Sequence, residues 1–187
     1  MDHLTALRHT LHAHPELSAS EHDTHDRIVA HLREHAPGIE IAERVGGTGL
    51  LAIAAPESYR RTIVYRADTD ALPIDEETGA PHASTIPGVM HACGHDGHTT
   101  IAVGLTEHFA KNPLEGTRLI VVFQPAEEIG TGAQAILSDP RFTELIDDPA
   151  STRALAIHNL PGYPMGQLVL RAGPMCPASL GLRLVLR

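Results

Sequence analysis

Between Ser20 and His35 the apolar residues Ile28, Val29 and Leu32 recur at helical spacing, and a Ser-x-x-Asp start, Ser20 with Asp23, precedes them. This predicts a capped amphipathic helix that stops before Pro37 and Gly38. The pattern then changes to short runs of strand length at Ile39–Ala42, Leu50–Ala54 and Thr62–Ala67, separated by turn residues such as Gly46, Gly47 and Pro56. Ile101, Ala102, Leu105 and Phe109 fall on one face of a predicted helix over Thr99–Ala110, and Arg118–Phe123 has the unbroken apolar character of a central strand. A weaker helix is predicted around Thr131–Leu137, and Arg153–Ile157 and Leu168–Leu170 read as further strands. Strands alternating with helices predict an α/β fold, a mixed β-sheet flanked by helices and covered on both faces.

Composition narrows this picture without changing it. The 187 residues are 42% hydrophobic, enough to bury one ordinary core, and the chain has no low-complexity tract. No apolar run approaches the roughly 18 residues that a membrane-spanning helix needs. The opening MDHLTALRHT lacks a basic segment leading into an apolar one, so a cytoplasmic location is expected. A net charge of -9 and a single lysine, Lys111, argue against a nucleic-acid partner, whose phosphates require cationic side chains. Cys93 and Cys176 are read as reduced thiols, because a lone bridge in such a chain has little to recommend it. The early histidines His3, His9, His12, His14, His22, His25, His31 and His35 are expected on solvated helical faces.

The candidate chemistry sits where strands and helices meet loops, the usual place for sites in α/β folds. HACGHDGH at 91–98 packs three imidazoles, a thiol and a carboxylate beside two glycines. If this stretch is an extended loop feeding the helix at Thr99, Cys93 and His95 share a side and can converge on one ion. A His-rich surface loop is the plain alternative. Glu127-Glu128 follows the strand RLIVVFQ; on extended backbone one carboxylate binds metal while its neighbour serves as general base, or both form a solvated pair. His158 ends an apolar strand and is a ligand only in such company. Asp68 and Asp70 share a side at the end of TIVYRA, placed to accept N–H bonds from ligating imidazoles or simply to form a strand-end turn.

Taken together and in order, LRHTLHAHPELSASEHDT, YRADTDALPIDEETG, IPGVMHACGHDGHTT, VVFQPAEEIGTGAQAIL and AIHNLPGYPMGQL resemble the M20 metallopeptidase superfamily, in its amidohydrolase branch of hippurate and auxin-conjugate hydrolases. The resemblance implies a zinc-exopeptidase-like catalytic domain that binds two divalent ions, zinc or manganese, with cobalt or nickel as further options. It implies that Cys93, His95, Glu128 and His158 ligate metal, that Glu127 is the general base, and that Asp70 supports a ligand from behind. His91 and His98 inherit no ligand role and are expected as loop and helix-cap residues. The implied reaction is hydrolysis of the amide bond of small N-acyl amino acids, with Glu127 taking a proton from water and returning it to the leaving amine. Family members are roughly twice as long and carry a dimerising lid and a further ligand histidine. Residues 1–177 are therefore expected to be the first part of the catalytic domain and 178–187 the start of the lid. The alternative from another class is a catalytically incompetent remnant that only binds metal or a partner.

Overall fold

The computed structural model of the protein describes residues 2–170 and 172–173. Cys176 and the expected start of a lid lie outside them. Helices α1 (Asp2–Ala13) and α2 (His22–His35) lead into an antiparallel pair, β1 (Glu40–Val45) and β2 (Gly49–Ala54), followed by β3 (Arg61–Asp68). Then come α3 (His95–Lys111), β4 (Thr117–Gln124), the short helices α4 (Gly132–Ser138) and α5 (Pro140–Thr143), and β5 (Thr152–Ala156). The sheet order is β1-β2-β4-β3-β5, with β1, β2 and β4 antiparallel to one another in turn and β3 parallel to both β4 and β5. The expected mixed sheet is therefore present.

Strand β4 organises the core, because all of its residues are buried. Its alternate side chains serve opposite faces, as period-two geometry requires. Leu119, Val121 and Phe123 pack with Leu7, Leu11, Ile28, Leu32 and Val103 of α1, α2 and α3. Ile120 and Val122 pack with Ile136 and Phe142 of α4 and α5. Strand β5 departs from the expected covering: Leu155, and Ile157 just beyond the strand, stay exposed. Residues 168–170 have no strand partner among the described residues, so the expected strand there does not form; Leu168 and Leu170 point into solvent. Among the described residues no helix is long and apolar enough to cross a membrane.

Two helix starts differ from expectation. Helix α2 begins at His22, its N-cap position is Glu21, and no side chain at that position caps it. The Ser20 cap is replaced by a more distant group: Glu16 accepts the backbone N–H of Asp23 at 3.2 Å and of Thr24 at 2.7 Å. An anionic carboxylate on the first-turn amides does what a capping serine does and adds a favourable interaction with the helix dipole. Helix α3 starts four residues earlier than its apolar stripe predicts, at His95 rather than Thr99. Glu16→Ala should lower the unfolding free energy by about 1 kcal/mol and Ser20→Ala should change it by less than about 0.5 kcal/mol in urea titrations.

Candidate metal centre

Strands β3, β4 and β5 run parallel, so their C-terminal ends open on one edge of the sheet, where α3 also begins. All the candidate residues from separate stretches of sequence reach this edge. Asp68 and Asp70 come from the end of β3, Glu127 and Glu128 from the loop after β4, His158 from just beyond β5, and Cys93 and His95 from the start of α3.

His95 is the centre of the arrangement and is completely buried. Its Nδ1–H donates to the Asp70 backbone carbonyl at 2.9 Å, with the Asp70 carboxylate 3.4 Å away. That bond fixes the tautomer and turns the lone pair of Nε2 toward the opening. Nε2 itself has no hydrogen-bond partner, although Asp68 Oδ2, Glu128 Oε1 and Glu127 Oε2 lie 3.6, 3.8 and 3.9 Å away. Glu128 Oε1 is likewise buried without a partner. Across the same space Cys93 Sγ lies 3.4 Å from His158 Nε2. The donor atoms of Cys93, His95 and His158 fall within 4.8 Å of one another, as do those of His95, Glu127 and Glu128 and those of Asp68, His95 and His98. Orphaned buried donors at this spacing suit divalent cations, whose ligand bonds of about 2.0–2.3 Å place donor atoms roughly 3–4.5 Å apart.

The local backbone explains why these groups meet. Gly94 adopts φ 91° and starts α3 abruptly. Cys93 and His95 therefore converge across a sharp turn into a helix, not along the extended loop that the spacing predicts. A Cβ on Gly94 would stand 2.5 Å from Asn159 Oδ1, so a side chain there would push the His158 segment away. After β4, Ala126 takes a left-handed φ of 49° and Glu127 O accepts the Gly130 amide at 2.8 Å. This turn corrects a second expectation: both glutamates face His95, whereas extended backbone would send them to opposite sides. The turn is secured by Glu21, a buried carboxylate that accepts the amides of Ala126 (2.8 Å) and Ala19 (3.0 Å) and the Thr48 hydroxyl.

The electrostatics follow from crowding carboxylates around imidazoles. Burial favours the neutral form of Asp70, but hydrogen bonds from His95, Ser18 and the Glu128 and Glu127 amides outweigh it and hold the acid at about 2. Asp68 is also burdened by burial and still held below the usual range by His98, His95 and Arg66. Burial lowers the basicity of His95, but the Asp70 bond and the charges of Asp68, Asp70 and Glu128 raise it overall. Burial, then the repulsion of Glu128 with Asp68 and Glu127, pushes the Cys93 thiol up to about 12. Glu128 is raised by burial and by neighbouring carboxylates despite His95. A bound cation reverses this logic, stabilising the thiolate and both glutamates at once.

Asp68 was expected to accept from an imidazole or to form a turn, His98 to sit in the loop or cap the helix, and Ser18 had no expected part. His98 is buried on the first turn of α3, where its Nδ1–H donates to Asp68 Oδ1 at 2.6 Å and its Nε2 accepts the Asn159 amide at 3.1 Å. It thus steadies Asp68 rather than capping the helix, whose cap position is Gly94. Alternation in Arg66-Ala67-Asp68-Thr69-Asp70 was the available signal, and it pointed to a shared side without saying which histidine each acid meets. Ser18 donates to Asp70 Oδ2 at 2.7 Å from the connection between α1 and α2, a contact no local pattern announces. His91 is buried in the loop, and burial pulls it down to about 4.

Residues 64–177 match the model of peptidase family M20/M25/M40. The chain belongs to this family. It is 39% identical over 168 residues to an N-acetyldiaminopimelate deacetylase of Geobacillus thermodenitrificans, covering 90% of this chain and 43% of that protein. An N-acetyl-L-cysteine deacetylase of Bacillus subtilis is 39% identical over 177 residues, covering 94% of this chain and 40% of the relative. The Bacillus subtilis YXEP protein, described as a dinuclear metal-binding peptidase of the M20 family, superposes with a TM-score of 0.77 at 37% identity. That match covers 87% of this chain and 44% of the other. This M20 chain thus spans less than half the length of the relatives it matches. Glu21→Ala should cost about 2–4 kcal/mol of stability in chemical unfolding, because it strips buried amides of their acceptor beside the Glu127–Glu128 turn.

Proposed function

We propose that this edge of the sheet is the metal-binding half-site of an amidohydrolase acting on N-acyl amino acids. The observation that carries the reading is His95, with Nδ1 bound to Asp70 and Nε2 left free toward Glu127 and Glu128. Cys93, His95, Glu128 and His158 are the proposed ligands of two divalent ions, of zinc or manganese type, and Asp70 orients His95. Bound divalent ions polarise an amide carbonyl and make water more acidic.

Glu127 is the proposed general base. Its carboxylate is partly exposed and lies 3.9 Å from His95 Nε2, free to approach a reacting water. It takes the proton from the attacking water and delivers it to the amine as the amide C–N bond breaks. The deacetylase names of the relatives favour an acetyl group on the acyl side of the substrate. The relatives' greater length leaves room for substrate-binding groups, a further ligand and a dimerising lid outside the part matched here.

Purified protein supplied with Mn²⁺ or Zn²⁺ should hydrolyse members of a panel of N-acetyl amino acids, and a chelator should abolish turnover. Glu127→Gln should retain bound metal and lose about 10²–10⁴-fold in rate. Cys93→Ala and Glu128→Ala should instead lose metal by elemental analysis. Undiminished hydrolysis by Glu127→Gln would remove Glu127 as the base; bound metal with no turnover in the unaltered protein would favour the binding-only reading.

A further inference from the structure

Three of the early histidines converge away from this edge. Glu107 is buried on α3 and accepts from His3 Nε2 at 2.9 Å and from His31 Nε2 at 2.9 Å. His3 lies on α1 and His31 on α2, so one carboxylate joins three helices. His35, one turn beyond His31, packs its ring centroid 4.4 Å from His31 and 4.6 Å from His3. The early histidines as a group were expected to be solvated. His12 and His25 are buried as well, His12 against Asp96 and His25 against the Thr48 carbonyl, because α1 and α2 turn these positions toward the rest of the fold.

We propose that His3, His31 and Glu107 form a second, separate site for a divalent cation of zinc type, with His35 or water completing the coordination. The donor atoms of the three residues lie within 4.8 Å of one another. Imidazole nitrogen with a carboxylate oxygen is a donor set that zinc, nickel and copper accept, and a tetrahedral zinc site needs four donors. The charge balance supports a cation. Burial works against ionisation of Glu107, yet the bonds from His3 and His31 hold its carboxyl below the usual carboxylate pKa range. Burial, with the neighbouring His35 and His3, also lowers the basicity of His31 despite Glu107, leaving that ring a poor counter-charge. Glu107 lies twelve residues along α3 from His95, about 18 Å at helical rise, so the two sites do not share donors. An ion here would tie the start of α1 to α2 and α3, adding its binding energy to the folding of the helical layer.

The test compares chelator-stripped protein reloaded with Zn²⁺, freed of excess by gel filtration and analysed for bound metal. Glutamine keeps an N–H for Glu107 but offers no imidazole, so His3→Gln and His31→Gln separate ligation from simple hydrogen bonding. Each should hold one zinc equivalent fewer than the unaltered protein, or bind that equivalent at least about tenfold more weakly. In Cys93→Ser protein, where the sheet-edge site is impaired, Zn²⁺ should still raise the melting temperature, and adding His3→Gln should remove that rise. His3 is partly exposed at the beginning of α1, so its variant remains informative if His31→Gln fails to fold. Unchanged zinc content in His3→Gln, or a melting-temperature rise that survives it in the Cys93→Ser background, would overturn the proposal whatever becomes of the hydrolase reading.

Discussion

The carboxylate and carbonyl of Asp70 are where four separate parts of the chain are joined. Ser18 reaches Asp70 from the connection between α1 and α2, His95 from the first turn of α3, and the Glu128 amide from the loop after β4. Asp70 itself extends from β3. A buried carboxylate without these donors would be costly, and with them it is an anchor that fixes their relative positions. The orientation of His95, and hence the direction in which its free nitrogen points, is a consequence of this junction.

Beyond that junction the edge accumulates negative charge faster than it is neutralised. Asp68, Asp70, Glu127 and Glu128 stand around His95, and Cys93 stands among them as a thiol that its neighbours discourage from ionising. Arg66 and His98 engage Asp68, but Glu128 has only His95 at 3.8 Å, and its buried oxygen has no hydrogen-bond partner. An apolar or purely hydrogen-bonded role does not account for such a set. A cation does; the ion proposed at Glu107 rests instead on the convergence of His3 and His31 on one buried carboxylate. The difference is in the surroundings: the sheet edge joins its donors to a partly exposed glutamate, while the helix junction has no such group and would be structural.

Much of the fold was legible because its elements announce themselves locally. The unbroken apolar run in β4 and the stripes of α2 and α3 reflect burial that any sequence of that pattern would seek. The candidate site residues were picked out through the family's motifs, and the structure brings their separate stretches together. What local pattern did not convey was geometry set by distant groups. Glu16 caps α2 in place of Ser20, and Glu21 braces the turn that aims both Glu127 and Glu128 at His95. The early start of α3 at Gly94 was hidden because its first turn is polar, His95 and Asp96 being buried by partners rather than by hydrophobicity. His3, His12 and His31 looked solvated for the same reason: their packing depends on Glu107 and Asp96, residues far along the chain.

The central claim is that the space between His95, Cys93 and the two glutamates is a metal site with a thiolate ligand. Titration of the metal-free protein with Co²⁺, followed by near-ultraviolet and visible absorption, tests it most directly. A sulfur-to-cobalt charge-transfer band that is present in the unaltered protein and absent from Cys93→Ser is the predicted result. Cobalt that binds without such a band, or with a spectrum indifferent to Cys93→Ser, would contradict the account.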